Sequence, residues 1–192
     1  LGFAVPPFLR KLEMTWDCDS RVDTVTSELL QKMKQAGCRR IYYGMESYDP
    51  ETLNRISKET PIQKIDDAIR LTYQSGIEMM CYLILGWPWE TPAHINNTIR
   101  FVERLPTNTK IQHGYFVPTP YPGTVLYEQY RDEYGFQKWW LKPDAFEKRF
   151  ENGYMPYFRV NMFYLDHFYL KQNYFKRDRA FQRFVQKAFE RV

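Results

Sequence analysis

Residues Met79-Met80-Cys81-Tyr82-Leu83-Ile84-Leu85-Gly86-Trp87-Pro88-Trp89-Glu90-Thr91 decide the fold. The apolar run has the length of a strand, stops at Gly86, passes through Pro88 and restarts as a helix at Thr91-Pro92. A continuous apolar run of that length reads as a strand buried on both faces, the habit of parallel sheets. Thr91 reads as a helix N-cap and Pro92 as the first helical position. A parallel strand that turns through glycine into a helix puts its turn at the C-terminal edge of a sheet. That edge is where α/β proteins bind ligands.

The same unit recurs on either side. Leu12–Trp16 is a β-favouring segment, followed by an amphipathic helix over Ser27–Ala36 that Gly37 closes. Arg40–Met45 is the next strand, ending in Gly44-Met45-Glu46-Ser47. A short helix follows Asp49-Pro50, and a longer one over Ile62–Gln74 is closed by Gly76. Ile77–Leu85 is the third strand and Pro92–Arg104 its helix. Ile111–Val117 is the fourth, and Thr124 caps a helix that runs to Tyr134 and ends at Gly135. Strand–helix steps at intervals of roughly thirty to forty residues imply parallel strands with right-handed crossovers. The class is α/β, and helices of similar size after each strand favour a partial TIM-like (β/α) barrel over an open sheet.

Residues 1–137 read as this barrel portion and 138–192 as a C-terminal helical extension. Trp139-Trp140-Leu141-Lys142-Pro143 is linker-like. Val160–Val192 reads as two helices broken near Lys176-Arg177-Asp178, with Phe163, Phe168, Tyr169, Phe175, Phe181, Phe184, Val185, Ala188 and Phe189 at helical spacing. The net charge of +4 is uneven. Residues 1–137 hold 15 Lys/Arg against 17 Asp/Glu, and residues 138–192 hold 12 against 6. Basic residues among aromatics suit nucleic acid. Aromatics at helical spacing more often pack a core, so the extension is read as covering helices and nucleic acid as an improbable partner.

Apolar residues make up 44% of the chain, an ordinary globular share, which excludes a disordered class. No run is long enough to span a membrane, and Leu1–Arg10 is not a signal peptide. Cys18, Cys38 and Cys81 form neither a disulfide framework nor a metal motif, so a reducing, cytoplasmic location is expected and no metal ligands are assigned. His94, His113 and His167 fall on separate elements with no nucleophile elbow, which argues against a catalytic triad. There is no P-loop and no GxGxxG.

The positions that follow the strands carry the polar chemistry: Asp17, Asp19, Arg21 and Asp23; Glu46 and Ser47; Trp87, Trp89 and Glu90; Thr119 and Tyr121. Taken singly, the aspartates serve equally as turn or cap residues, and Glu90 as a first-turn carboxylate. Glu46 is different, because a carboxylate directly after a buried strand requires a partner.

These segments together resemble the radical S-adenosylmethionine (radical SAM) superfamily. The resemblance is nearest to the subgroup exemplified by the anaerobic magnesium-protoporphyrin monomethyl ester cyclase, which often carries a cobalamin-binding domain upstream. Trp16-Asp17-Cys18-Asp19-Ser20-Arg21-Val22-Asp23 resembles the family's W-x-x-x-x-R-x-D on its third strand. Met33–Cys38 resembles M-K-x-A-G-C, and Gly44-Met45-Glu46-Ser47 resembles G-x-E-S on the fourth strand. Gly86-Trp87-Pro88-Trp89-Glu90-Thr91 resembles G-x-P-G-E-T after the fifth, and Pro118–Tyr127 resembles P-x-P-G-T-x-L-Y after the sixth. Five motifs in order over residues 12–130 make the resemblance specific.

The resemblance implies four of the six βα units of a (β/α)6 barrel whose strand ends bind S-adenosylmethionine. By position, Glu46 and Ser47 would meet the methionine or ribose part. Lys58 would face the carboxylate, with Arg21 at the same end and Tyr82 near the ribose. Gly86 belongs to the motif after the fifth strand, and Phe116 and Val117 sit where the adenine packs. The resemblance also implies a 4Fe-4S cluster, whose CxxxCxxC loop is absent from this sequence, so its ligands are expected outside the chain. Cobalamin in an upstream domain is a further cofactor it raises. Trp89 stands where the family motif has Gly, which narrows the backbone options of that loop.

The expectation is therefore the C-terminal portion of a radical SAM oxidoreductase, cyclase or methyltransferase acting on a small molecule. It would lack the N-terminal half of its barrel and be inactive alone. Two rivals stay open: a complete metal-free α/β enzyme using Glu46 and Asp23 as acid and base, and an RNA-binding module using the basic tail.

Overall fold

The computed structural model describes residues 14–106, 110–135, 137–138 and 177–190. Four strands, β1 (Trp16–Ser20), β2 (Cys38–Glu46), β3 (Glu78–Ile84) and β4 (Ile111–Phe116), lie in the sheet order β1-β2-β3-β4. β1 pairs parallel with β2, and β2 with β3. The Met79 N–H donates to Lys110 O (2.7 Å) and the Leu85 N–H to Phe116 O (2.8 Å). The chain advances equally on both sides of that pair, so β4 is parallel too. Every strand returns through helix, as parallel pairing demands. The helices are α1 (Ser27–Gln35), α2 (Pro50–Arg55), α3 (Ile62–Gln74), α4 (Pro92–Glu103), α5 (Val125–Tyr134) and α6 (Arg179–Glu190).

Local chemistry accounts for the helix boundaries. Thr26, Asp49 and Thr124 accept the backbone N–H of Leu29, Thr52 and Tyr127, closing α1, α2 and α5 at their N-termini. Pro50 occupies the first turn of α2. Gly135 ends α5 in the left-handed conformation at φ +68°.

The backbone forms two compact units. One takes residues up to Leu83 together with Ala93–Gly114, and the other takes Ile84–Pro92 and residues from Tyr115 onward. The core of the first includes Leu30, Ile41, Tyr43, Met45, Ile65, Ile77, Met79, Cys81, Leu83 and Ile95, and the core of the second includes Leu85, Val117, Tyr127, Phe181 and Val185. Among the described residues no helix is long and apolar enough to cross a membrane.

Two expectations change. The first strand is Trp16–Ser20 and not Leu12–Trp16: Met14 and Thr15 are not in a strand. Among the described residues β1 is the outermost strand of the sheet, and its side chains are at most partly buried. Its Asp17 is neutralised by Arg39 Nη2 (2.5 Å) and reached by the Tyr42 hydroxyl (3.3 Å). A polar strand leaves no hydrophobic pattern to read. Likewise β3 is not buried on both faces. Met79, Cys81 and Leu83 are buried, whereas Glu78, Met80, Tyr82 and Ile84 are half-buried. The alternation is hidden because the second face is also lined with apolar and aromatic residues. Helix α6 fits the second half of the expected tail. The linker at 139–143 and the segment 160–176 lie outside the described residues.

Candidate ligand cleft at the end of β2

A cleft of about 500 Å³ is lined by Asp19, Ser20, Arg21, Tyr42, Gly44, Glu46, Lys58 and Tyr82, all within the first unit. Tyr42, Gly44 and Glu46 alternate along one face of β2, while Ile41, Tyr43 and Met45 are buried on the other. At the end of the strand that alternation meets a defect in the ladder. Gly44 pairs with Tyr82 but Glu46 pairs with Leu83, so Met45 is an extra residue. A bulge of this kind re-aims the side chains beside it. Glu46 compensates by adopting φ +65°, a left-handed conformation unusual for a residue with a side chain. Its carboxylate thereby stays on the face of Tyr42 and Gly44. Strain of this type persists where the surroundings over-determine it, and it clusters at ligand sites.

Lys58 arrives from the other side. Helix α2 ends in a Schellman motif, in which the Ser57 N–H donates to Asn54 O and the Lys58 N–H to Leu53 O, both at 3.0 Å. Ser57 takes the left-handed position at φ +55°. This reversal sends Lys58 back over the sheet. Its Nζ lies 3.0 Å from Glu46 Oε1 and donates to Gly44 O. Glycine at 44 leaves room for this placement, since a Cβ there would stand 2.7 Å from Glu46 Oε1 and push the carboxylate aside. The pair is partly buried, at 13% exposure for the Lys58 side chain and 26% for that of Glu46. On the rim, Arg21 grips Asp23 with both arms of its fork, at 2.9 and 2.7 Å. The hydrogen bond from Arg21 holds the Asp23 carboxyl below its ordinary range, so it is a poor proton donor near neutrality. Tyr42 and Tyr82 stack at 5.9 Å between centroids.

The structure thus brings Arg21, Glu46, Lys58 and Tyr82 together. Ser47 turns away from them. Its buried hydroxyl is 3.1 Å from Thr98 Oγ1 and accepts the Asp49 N–H (3.1 Å). It buttresses the turn that follows Glu46. Tyr42 was not foreseen, although it shares the two-residue period of Gly44 and Glu46.

Gly86, Phe116 and Val117 belong to the second unit. Gly86 turns at φ +92°, and the fully buried Glu90 accepts the N–H of Gly86 (2.6 Å) and of Trp87 (3.0 Å) through Oε2. Trp89 has no positive φ, so the loop closes without the glycine of the family motif. Phe116 O accepts from Leu85, and Val117 is buried.

The cysteines do not suit a cluster. Iron–sulfur ligation requires thiolates. Burial pushes the Cys81 thiol up to about 12, and a shared hydrogen bond raises Cys38 while lowering Cys18. Among the described residues no group of three His, Cys, Asp or Glu could hold a metal ion.

A parallel βα sheet with a charged cleft at the C-terminal ends of its strands defines an α/β protein of the TIM-like barrel class, represented here by four strands. The chain belongs to the radical SAM superfamily, whose sequence profile matches residues 8–102. It is 35% identical over 118 residues to an uncharacterised methyltransferase of Pyrococcus horikoshii, covering 61% of this chain and 25% of that protein. It is 25% identical over 149 residues to the anaerobic magnesium-protoporphyrin IX monomethyl ester cyclase of Rubrivivax gelatinosus, covering 72% of this chain and 26% of that one. The chain therefore spans about a quarter of the length of these relatives.

Two solved structures share the fold. The archaeal Elp3 of Methanocaldococcus infernus superposes with a TM-score of 0.56 at 18% identity, over 65% of this chain and 31% of that one. The radical SAM methyltransferase TsrM of Kitasatospora setae, solved with cobalamin and a 4Fe-4S cluster, gives 0.52 at 19% identity, over 61% and 23%.

Proposed function

We propose that the whole protein is a radical SAM enzyme of oxidoreductase, cyclase or methyltransferase type that acts on a small molecule. In this reading S-adenosylmethionine lies in the cleft at the end of β2. The Glu46–Lys58 pair, held beside Gly44 by a strained backbone, carries the proposal. A zwitterionic amino-acid moiety needs one anion and one cation at fixed spacing, and the pair supplies both. Lys58 would take the carboxylate as a point charge, and Glu46 the ammonium. Tyr82, stacked on Tyr42, would meet the ribose, and Arg21 would close the rim.

Bound S-adenosylmethionine and a reduced 4Fe-4S cluster supply one-electron chemistry. The residues described here bind and orient. The cluster ligands would lie outside these 192 residues, and cobalamin, where used, in another domain. Gly86 would be a further cofactor-binding residue, Phe116 and Val117 would meet the adenine, and a cytoplasmic setting would suit the free thiols.

Calorimetric titration of S-adenosylmethionine into the whole protein tests it. Lys58→Met and Glu46→Gln should each weaken binding by at least roughly tenfold, the loss of one charge-assisted hydrogen bond. Unchanged affinity in both variants would remove the cleft from consideration.

A further inference from the structure

The second unit contains a contact that the family motifs do not account for. The loop Gly86–Glu90 is held from within by Glu90, whose carboxylate accepts the N–H of Gly86 and Trp87. It is also held from without by Arg177, which lies beyond the family-matched segment 8–102. Arg177 Nη1 donates to Pro88 O at 2.7 Å and Nη2 to Glu90 O. The guanidinium lies 3.7 Å over the Phe181 ring of α6. Asp178 accepts the Phe181 N–H (2.8 Å), fixing the start of that helix next to Arg177. One planar cation thus spans two loop carbonyls while its face rests on an aromatic ring. A lysine cannot reproduce either feature.

Trp87 and Trp89 flank the gripped Pro88 and are stacked at 5.3 Å with 15° between their planes. The Trp87 indole Nε1 is buried with no hydrogen-bond partner among the described residues. A buried unmet donor is costly, and it persists only if the loop is constrained to that shape.

We propose that Arg177 is a positioning residue. It locks the Gly86–Glu90 loop in the conformation that stacks Trp87 on Trp89 and presents the loop for ligand binding. The C-terminal extension then acts on this loop through one side chain. The part concerning the loop's shape stands alone. The part concerning the ligand rests on the S-adenosylmethionine reading above.

The test uses the whole protein with Arg177→Lys and Arg177→Gln. Two closely stacked indoles give an exciton couplet in circular dichroism, and the Trp87→Phe difference spectrum assigns it. Both Arg177 variants should lose more than half of that couplet well below their unfolding temperatures. Affinity for S-adenosylmethionine should fall roughly tenfold, by analogy with losing one charge-assisted hydrogen bond. A purely structural arginine would lower the melting temperature yet leave both readouts intact below it. A couplet of full amplitude in Arg177→Lys would overturn the lock. A lost couplet with unchanged affinity would overturn the link to the ligand. If the unaltered protein binds no S-adenosylmethionine, the cofactor reading falls, and the couplet alone still decides whether Arg177 sets the loop.

Discussion

The ends of β2 and β3 are built from the same residue types and use them in opposite ways. Each strand runs out near a glycine and a glutamate: Gly44 and Glu46 in the last residues of one, Gly86 and Glu90 after the other. At β3 the glycine takes the positive φ (+92°), and the glutamate is fully buried, occupied by two backbone N–H groups. At β2 the glycine only makes room, and the glutamate itself takes the positive φ (+65°) to keep its carboxylate half-exposed beside Lys58. A carboxylate that satisfies backbone donors is part of the scaffold. One held against its backbone preference to face a cleft is available to a ligand. Strain and exposure separate the two roles, and residue type does not.

The largest effect expected from this contrast is at Glu90. Glu90→Ala strands the buried Gly86 N–H and the partly buried Trp87 N–H and should destabilise the fold by about 3 kcal/mol, with Glu90→Gln losing about half of that. Denaturant titration measures both. A loss below about 1 kcal/mol in Glu90→Ala would break the comparison, since the scaffold role would then be empty.

Glu46 should behave in the reverse sense. Alanine keeps the left-handed strain and loses the ion pair, whereas glycine relieves the strain. Glu46→Gly is therefore expected to be more stable than Glu46→Ala by about 1 kcal/mol. This inverts the usual ranking in a strand. Both variants should lose affinity for S-adenosylmethionine. A Glu46→Ala protein as stable as Glu46→Gly would show that the backbone at this position is not strained.

How much of this was legible beforehand depends on the kind of order involved. Helix ends were legible: Asp49 and Thr124, with glycines at 37, 76 and 135, mark the boundaries of α1, α2, α3 and α5 to within a residue or two, whereas the Thr26 cap of α1 was not read. The parallel order followed from the strand–helix alternation. Strand β1 was misplaced by about one strand length because its aspartates carry no apolar period. The half-open face of β3 was missed because Tyr82 and Ile84 are apolar in sequence whichever way they point. Glu46 and Lys58 were named from the family's motif spacing. The bulge at Met45 that joins them is written in no residue type, because it is a property of strand register. Arg177 lay too far along the chain for any local pattern to connect it with Pro88 and Glu90.

The smallest expected effect sharpens the contrast from inside the first unit, at Asp49. Three residues after Glu46, this carboxylate is buried like Glu90. It accepts the Thr52 N–H (2.9 Å) and the Asn97 Nδ2 (2.8 Å). Burial alone would raise its pKa, but these hydrogen bonds outweigh burial and leave it below the ordinary aspartate value of 3.8. A carboxyl depressed in the fold contributes stability above its unfolded pKa and loses it as pH falls through the folded one. Asp49→Asn keeps the cap but removes its charge, so it should cost up to about 1 kcal/mol at neutral pH, the worth of a carboxylate at a helix N-terminus, with the cost starting to shrink near pH 3.8 and fading as pH falls through the lower folded-state pKa. Melting temperatures of both proteins between pH 7 and pH 3 would converge on the acid side. Binding of S-adenosylmethionine at neutral pH should be nearly unaffected, because Asp49, like Glu90, serves backbone. Parallel curves that never converge would mean that its charge is not what holds α2 in place. A large loss of affinity would mean that burial does not mark a carboxylate as scaffold.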